Sequence, residues 1–409
     1  MGVQPSRDRS DRRDREADER PAPLIMPPRL RVEEEDRGAT RLELFFDLAY
    51  VLVVAELAAT FAKDLGWHGA VVFGGLFAVT WWSWVSMTLY ANRFDTNDVI
   101  YRLAKLGGAV AVAGMAASAP EAAGATATTF AACYLATRVL LLALYARAYR
   151  HVPEARPTCA IYLVVTAVSA ALWTVSLADL PDAARYALWT AGIVLEVLAP
   201  LVATRRGGGV PLHVEHLPER FGLFVILVLG ESIASIVIGV HDTHWDAPSV
   251  GVAAAGFVLV AALWWSYFDL GGAAGKRRLV DDGQDQESGV ADAYIFGHFP
   301  LTLGLAIVAV GVEQFILHPT TGLADGARWA LHAGAALFVT GTAAVLIGTS
   351  GSGRAAWPWP LAAIPVVLLI GVPDLPAIVA LAAAAAAQVG LVLAGMREQR
   401  RGALETTET

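Results

Sequence analysis

The stretch RLELFFDLAYVLVVAEL, from Arg41 to Leu57, sets three carboxylates into an otherwise apolar run. Glu43 and Asp47 stand four residues apart, and Glu56 follows nine residues after Asp47. Continued to Ala62, the run is long enough to cross a membrane. Yet a charged carboxylate near a bilayer centre costs roughly 2.5–3.5 kcal/mol even on a lenient insertion scale. At about 100° per residue, Glu43, Asp47, Tyr50 and Val54 share one helical face, while Glu56 points roughly the opposite way. Three acids on two faces cannot all look at lipid, so this helix is expected to be surrounded by protein.

The rest of the chain has the same character. Of 409 residues, 56% are hydrophobic and only 17% charged, and the mean hydropathy is +0.52. A soluble domain would need about a quarter of its residues charged. Apolar runs close to the ~20 residues that span a bilayer follow one another. We read twelve: Leu44–Ala62, Ala70–Tyr90, Leu103–Ala119, Thr126–Ala146, Cys159–Leu177, Tyr186–Ala203, Phe221–Val240, Val250–Leu270, Tyr294–Ile316, Trp329–Ile347, Leu361–Val372 and Ala377–Met396. The eleventh is the shortest and carries Pro365. The fold class expected is an all-α, polytopic integral membrane protein of about twelve transmembrane helices.

Lys and Arg set the orientation. With the amino terminus cytoplasmic, the outer loops hold only Lys63, Arg185 and Arg328, and the inner segments hold all other loop cations. The expected location is therefore the bacterial inner (plasma) membrane, multi-pass, with both termini cytoplasmic. Residues 1–40 mix Arg with Asp and Glu and then turn proline-rich, which predicts a disordered cytoplasmic tail. Their charges nearly cancel, so nucleic-acid binding is not expected. Cys133 and Cys159 form neither a disulfide framework nor a zinc site.

The two halves echo one another. ELFFDLAYVLVVAE (Glu43–Glu56) resembles ERFGLFVILVLGES (Glu219–Ser232), and WWSW (Trp81–Trp84) is matched by WWSY (Trp264–Tyr267). An even number of spans per half implies two parallel six-helix repeats, residues 41–206 and 207–396, followed by a cytoplasmic tail at 397–409.

In order, ELFFDLAYVLVV, WWSWVSMTLYANRFDTND, HLPERFGLFVILVLGESI, WWSYFD and GHFPLTLGLAIVAVG resemble the bacterial low-temperature-requirement protein A family. The resemblance covers Arg41 to about Met396 and implies fold and location, not a mechanism. A looser likeness ties the first helix and the six-plus-six plan to lysosomal-type potassium channels, which carry Phe-Ser-Asp in the first helix of each repeat. Here Phe45-Phe46-Asp47 stands in the first half and Leu223 where the second Asp would fall. Potassium selectivity is not carried over.

The polar residues inside apolar runs are the functional candidates, because intramembrane ionisable groups mark ion or proton paths. Asp47, Glu56, Glu196, Glu231 and His298 are the path candidates. Arg138, mid-span, needs a carboxylate partner; Glu56 matches its depth best, with Asp47 and Glu196 as alternatives. Glu43, Arg93, Asp95, Asp98, Glu219 and Arg220 are candidates for a cytoplasmic mouth. HVEHLPER and HDTHWD hold ligand-type side chains but match no zinc signature and read as solvated loops. No metal or cofactor is expected. The partners expected are the lipid bilayer, a small ion or solute, and a second copy of the chain.

The leading reading is a transporter or channel for protons, a cation or a small solute. The alternatives are an intramembrane lipid-modifying enzyme and a non-catalytic membrane scaffold. The chain shows no G-x-S-x-G, H-E-x-x-H or P-loop pattern, which leaves the enzyme less favoured.

Overall fold

The computed structural model describes residues 24–31, 40–205, 210, 212, 216–271, 288–320, 323–349 and 359–407. Twelve α-helices lie among them: α1 (Arg41–Phe61), α2 (Trp67–Arg93), α3 (Val99–Ser118), α4 (Ala127–His151), α5 (Arg156–Val175), α6 (Asp182–Arg205), α7 (His216–Asp242), α8 (Ala247–Trp265), α9 (Ser288–Leu317), α10 (Asp325–Thr349), α11 (Trp359–Ile370) and α12 (Ala377–Thr407). Eleven are long and apolar enough to cross a membrane. The protein is an all-α polytopic membrane protein. The exception is α11, whose 12 residues rise only about 18 Å at 1.5 Å per residue, short of a bilayer core. Pro365 lies inside it, where a proline removes a helical hydrogen bond. The helix expected to be the shortest of the twelve is thus the one that length alone leaves short of a bilayer among the described residues.

Local chemistry sets the helix ends. Thr40 caps α1, and Glu43 returns a hydrogen bond to the Thr40 backbone, so two orphan donors are satisfied reciprocally. Asp98 caps α3 through the Tyr101 N–H. Side-chain contacts define two ends of the bundle. At the proximal end lie the start of α1, the α2–α3 loop, the end of α4 and the start of α7. At the distal end lie the α1–α2 turn and the starts of α6 and α8.

Part of the amino-terminal tail is ordered, unlike the expectation for residues 1–40. Arg29–Leu30 (β1) pairs antiparallel with Phe94–Asp95 (β2), Arg29 opposite Asp95. Arg29 binds the Asp95 carboxylate at 2.7 Å, and Arg31 N–H donates to Arg93 O at 3.1 Å. Met26 is held by Asp98 and Arg147. A short strand gains order here because the loop end offers both backbone partners and opposite charge.

α1 packs on α3, and α7 on α9. α1 and α7 also meet each other, and α9 packs on α1. The tightest pair is α9 with α10. Gly297 and Gly304 on α9 face Gly341 and Gly334 on α10, and Gly311 faces Leu331; the glycines of each helix are spaced by seven residues. A Cβ on Gly304 would lie 2.5 Å from both Gly334 O and Phe338 N. Only glycine permits this backbone approach, the usual basis of close helix pairing in lipid.

Candidate functional site

Two buried ion pairs hang from neighbouring residues of the WWSW motif. The first crosses between the halves: Arg220 Nη2 of α7 donates to Asp47 Oδ1 of α1 at 2.8 Å. Trp84 Nε1 of α2 donates to the same oxygen at 2.9 Å. Trp84 is itself packed between Phe221 and Phe224 of α7, stacked on the latter at 4.3 Å. Asp47 and Arg220 are fully buried.

The second pair lies within the first half. Arg138 Nη1 of α4 binds Glu196 Oε2 of α6 at 2.7 Å. Arg138 also donates to Ser86 Oγ (3.1 Å), Ser83 Oγ (2.8 Å) and Thr137 Oγ1 (3.3 Å), and its guanidinium lies over the Tyr134 ring. Tyr134 OH donates to the same Glu196 oxygen. Tyr50, one turn from Asp47 on α1, reaches Ser83 Oγ at 3.0 Å. Ser83 and Trp84 therefore place the two pairs side by side. A planar guanidinium with five donors can be satisfied this way, which a lysine could not match.

Several candidates stand apart from their expected roles. Glu56 does not partner Arg138; Glu196 does. Glu56 is exposed, and with Leu44, Phe45, Leu48 and Leu52 also exposed, α1 is not wrapped by protein all round. Glu56 lies five residues from the distal end of α1. It comes within electrostatic reach of the half-buried Glu231 on α7, which also senses Glu313 on α9. Arg220 is not at a mouth surface but enclosed against α1. His298 is fully buried; its Nδ1 faces the Tyr294 carbonyl at 2.6 Å and its Nε2 faces Tyr267 OH at 3.0 Å. A carbonyl only accepts, so the neutral ring donates from Nδ1 and accepts at Nε2. Both nitrogens are thus occupied, by tyrosines rather than by the acids.

The other mouth candidates hold loops. Glu43 serves the α1 cap, Asp95 holds Arg29, and Arg93 donates to Val210 O and lies over Tyr162. Asp98 is paired with Arg147. Burial pushes the Asp98 carboxyl up, but Arg147 and the N–H groups of Tyr101 and Met26 outweigh it and hold it below the ordinary value. Glu219 is half-buried in the first turn of α7. His213 lies outside the described residues; His241 and His244 are exposed, and no metal-binding group of three ligands occurs among the described residues.

Sequence reading missed Lys105. It is buried on α3, its Nζ 4.1 Å from the Phe46 ring centroid, within electrostatic reach of Asp47, Glu43 and Arg220. The signal was present: Lys105 is the third residue of the apolar run Leu103–Ala119, close enough to its start to read as an inner loop cation. Two cavities of about 280 and 320 Å³ lie at the distal end, between α1, α2 and α3 and between α2 and α6; none of the paired residues lines them.

The bacterial low temperature requirement A protein (LtrA) family matches residues 38–395. The chain is an LtrA-family protein. An uncharacterised protein of Rhizobium meliloti (strain 1021) is 31% identical over 309 residues, covering 71% of this chain and 73% of that protein. No solved structure matches. The match begins at residue 38 and ends at 395, so this LtrA chain carries both ion pairs and the acids of α1, α7 and α9 inside the family region.

Proposed function

We propose that this LtrA-family protein is a transporter or channel that moves protons or a small cation along the junction of its two halves. One observation carries the reading: α1 carries acids at two depths, Asp47 paired with α7 and the exposed Glu56 within electrostatic reach of it. Asp47 faces Arg220 of α7, and Glu56 lies within reach of Glu231. The two levels are about 13 Å apart along the helix, at 1.5 Å per residue. Buried ion pairs are weak contributors to stability compared with apolar packing. The presence of one, Asp47–Arg220, at the junction between halves, where transporters place coupling sites, supports a functional use. In this reading the halves are parallel repeats, the proximal end is cytoplasmic, and the membrane is the bacterial inner membrane, as the Lys and Arg distribution indicates.

The test is ion flux in proteoliposomes containing wild type, Glu56→Gln, Glu231→Gln or Asp47→Asn, each first checked for thermal stability. Glutamine keeps shape and hydrogen bonding while fixing neutrality. At least one folded variant should change flux or its pH dependence. Folded variants that all move ions as wild type does would leave these acids with a packing role only.

A further inference from the structure

Both distal cavities belong to the first half, and their linings differ. The smaller, of about 280 Å³, lies between the end of α1, the start of α2 and the turn after α3. Its lining combines the buried Leu57, Phe61, Phe73 and Leu76 with the exposed Asp64, His68 and Glu121. The larger, of about 320 Å³, lies between α2 and α6, and the two meet at Val72, Leu76 and Ala123. Val71 and Val194 border the larger cavity and are both exposed, so it opens sideways toward lipid.

The polar groups of the larger cavity are spent within the protein. Tyr186 OH donates to Ala123 O at 2.8 Å, Trp189 Nε1 to Ser176 Oγ at 2.9 Å, and Thr190 Oγ1 to Tyr186 O at 2.8 Å. What remains to meet an occupant is apolar surface. The smaller cavity keeps polar capacity. Asp64 faces His68 Nδ1 at 3.1 Å and accepts from the Gly66 N–H at 3.1 Å. These contacts hold its carboxyl below the ordinary value, so it carries charge. A carboxylate has about four acceptor sites, so Asp64 can take a further donor. Glu121 adds a second carboxylate and makes no ion pair among the described residues. Among those residues no Lys or Arg lines either cavity; Lys63 adjoins Asp64 only in the chain. The unmet demand is for a cationic donor at one end and a hydrocarbon at the other.

The geometry points to a binding site for a single-chain amphiphile with a primary ammonium head. The head donates to Asp64 and Glu121, and the alkyl chain passes Val72 and Leu76 into the space between α2 and α6. Cavities near the lower end of the roughly 300–1,000 Å³ usual for small ligands suit one chain rather than the two of a glycerolipid. A glycerolipid phosphate would also face the two acids, and like charges in contact are penalised. The site uses neither Asp47, Arg220 nor Glu231, so it stands whether or not the protein transports ions.

The experiment places the full chain in phosphatidylcholine nanodiscs with decylamine that carries a photoactivatable diazirine in its chain. Labelled peptides are mapped by mass spectrometry, with decylamine, decanol and decanoate as competitors at matched membrane concentration. Label should fall on α2 and α6. Decylamine should displace it about fivefold better than decanol, the order expected for charge pairing at an exposed rim, and decanoate should be weakest. Asp64→Asn with Glu121→Gln keeps both side-chain shapes and should bring decylamine and decanol within about twofold of each other. Gly75 lines the larger cavity, and a Cβ there would meet no atom within 4 Å. Gly75→Leu should therefore fold, occupy that space and remove the label from α6. If it does not fold, the charge variant decides. Label away from α2 and α6, equal displacement by decanol, an unchanged preference in the charge variant, or label kept on α6 in folded Gly75→Leu overturns the proposal. Phosphatidylethanolamine nanodiscs that suppress the label as decylamine does would give the site to a two-chain aminolipid and overturn the single-chain assignment.

Discussion

Removing the Arg138 guanidinium isolates a buried charge, and the size of the loss follows from its partners. Arg138 is fully buried and Glu196 nearly so. In Arg138→Met, Glu196 keeps only the Tyr134 hydroxyl on Oε2, while its Oε1 already has no partner among the described residues. Ser83 and Ser86 also lose their guanidinium contacts. Breaking a buried pair by deleting one member costs about 3–5 kcal/mol, because the other charge stays uncompensated. Glu196→Met alone strands Arg138 in the same way. The double variant Arg138→Met/Glu196→Met replaces both charges with apolar groups of similar volume, which is often nearly neutral. The double-mutant cycle should therefore return a coupling of about 6 kcal/mol or more, the sum of the two single losses, well above the usual range for contacting residues. Stability would be measured by denaturant unfolding in mixed micelles. As a control, Glu56→Gln should add to Arg138→Met within about 0.5 kcal/mol, since Glu56 is not its partner. A loss under about 1 kcal/mol in Arg138→Met, or coupling to Glu56 as large as to Glu196, would refute the reasoning.

Asp98 titrates below the ordinary value of 3.8, so its contribution is complete above that value and lost as pH falls through the lower folded one. Hydrogen exchange of the Arg31 amide should accelerate in that acid window, and Asp98→Asn should abolish the pH dependence; protection that is flat in wild type through the window would contradict it. Gly304→Leu puts a side chain where Gly334 O and Phe338 N already sit. It should prevent α9 and α10 from closing and cost more than about 3 kcal/mol, beyond ordinary overpacking. A variant that retains wild-type thermal stability would mean that the two helices separate without penalty.

Hydropathy alone determined that this is a helical membrane protein, because backbone polar groups in lipid must be satisfied within each segment and a run of apolar residues then has one available structure. Eleven of the twelve spans were legible for that reason, and α11 was legible as the weakest because Pro365 and its length are visible in the chain. The acids Asp47 and Glu196 and the base Arg138 were also legible, since an ionisable group stands out in an apolar run. Which charge meets which was decided only by tertiary structure. Depth along a helix selected Glu56 for Arg138, but pairing depends on which faces of α4 and α6 turn together, and these bring Glu196 to 2.7 Å. Arg220 follows Glu219 at the start of α7 and looked like a surface cation until α7 packed against α1 and buried it with Asp47. Lys105, near the start of its apolar run, was seen to be buried only once α3 closed over Phe46. Positions separated by 173 residues carry no local mark of their meeting, because helix rotation and packing are set by the whole bundle at once.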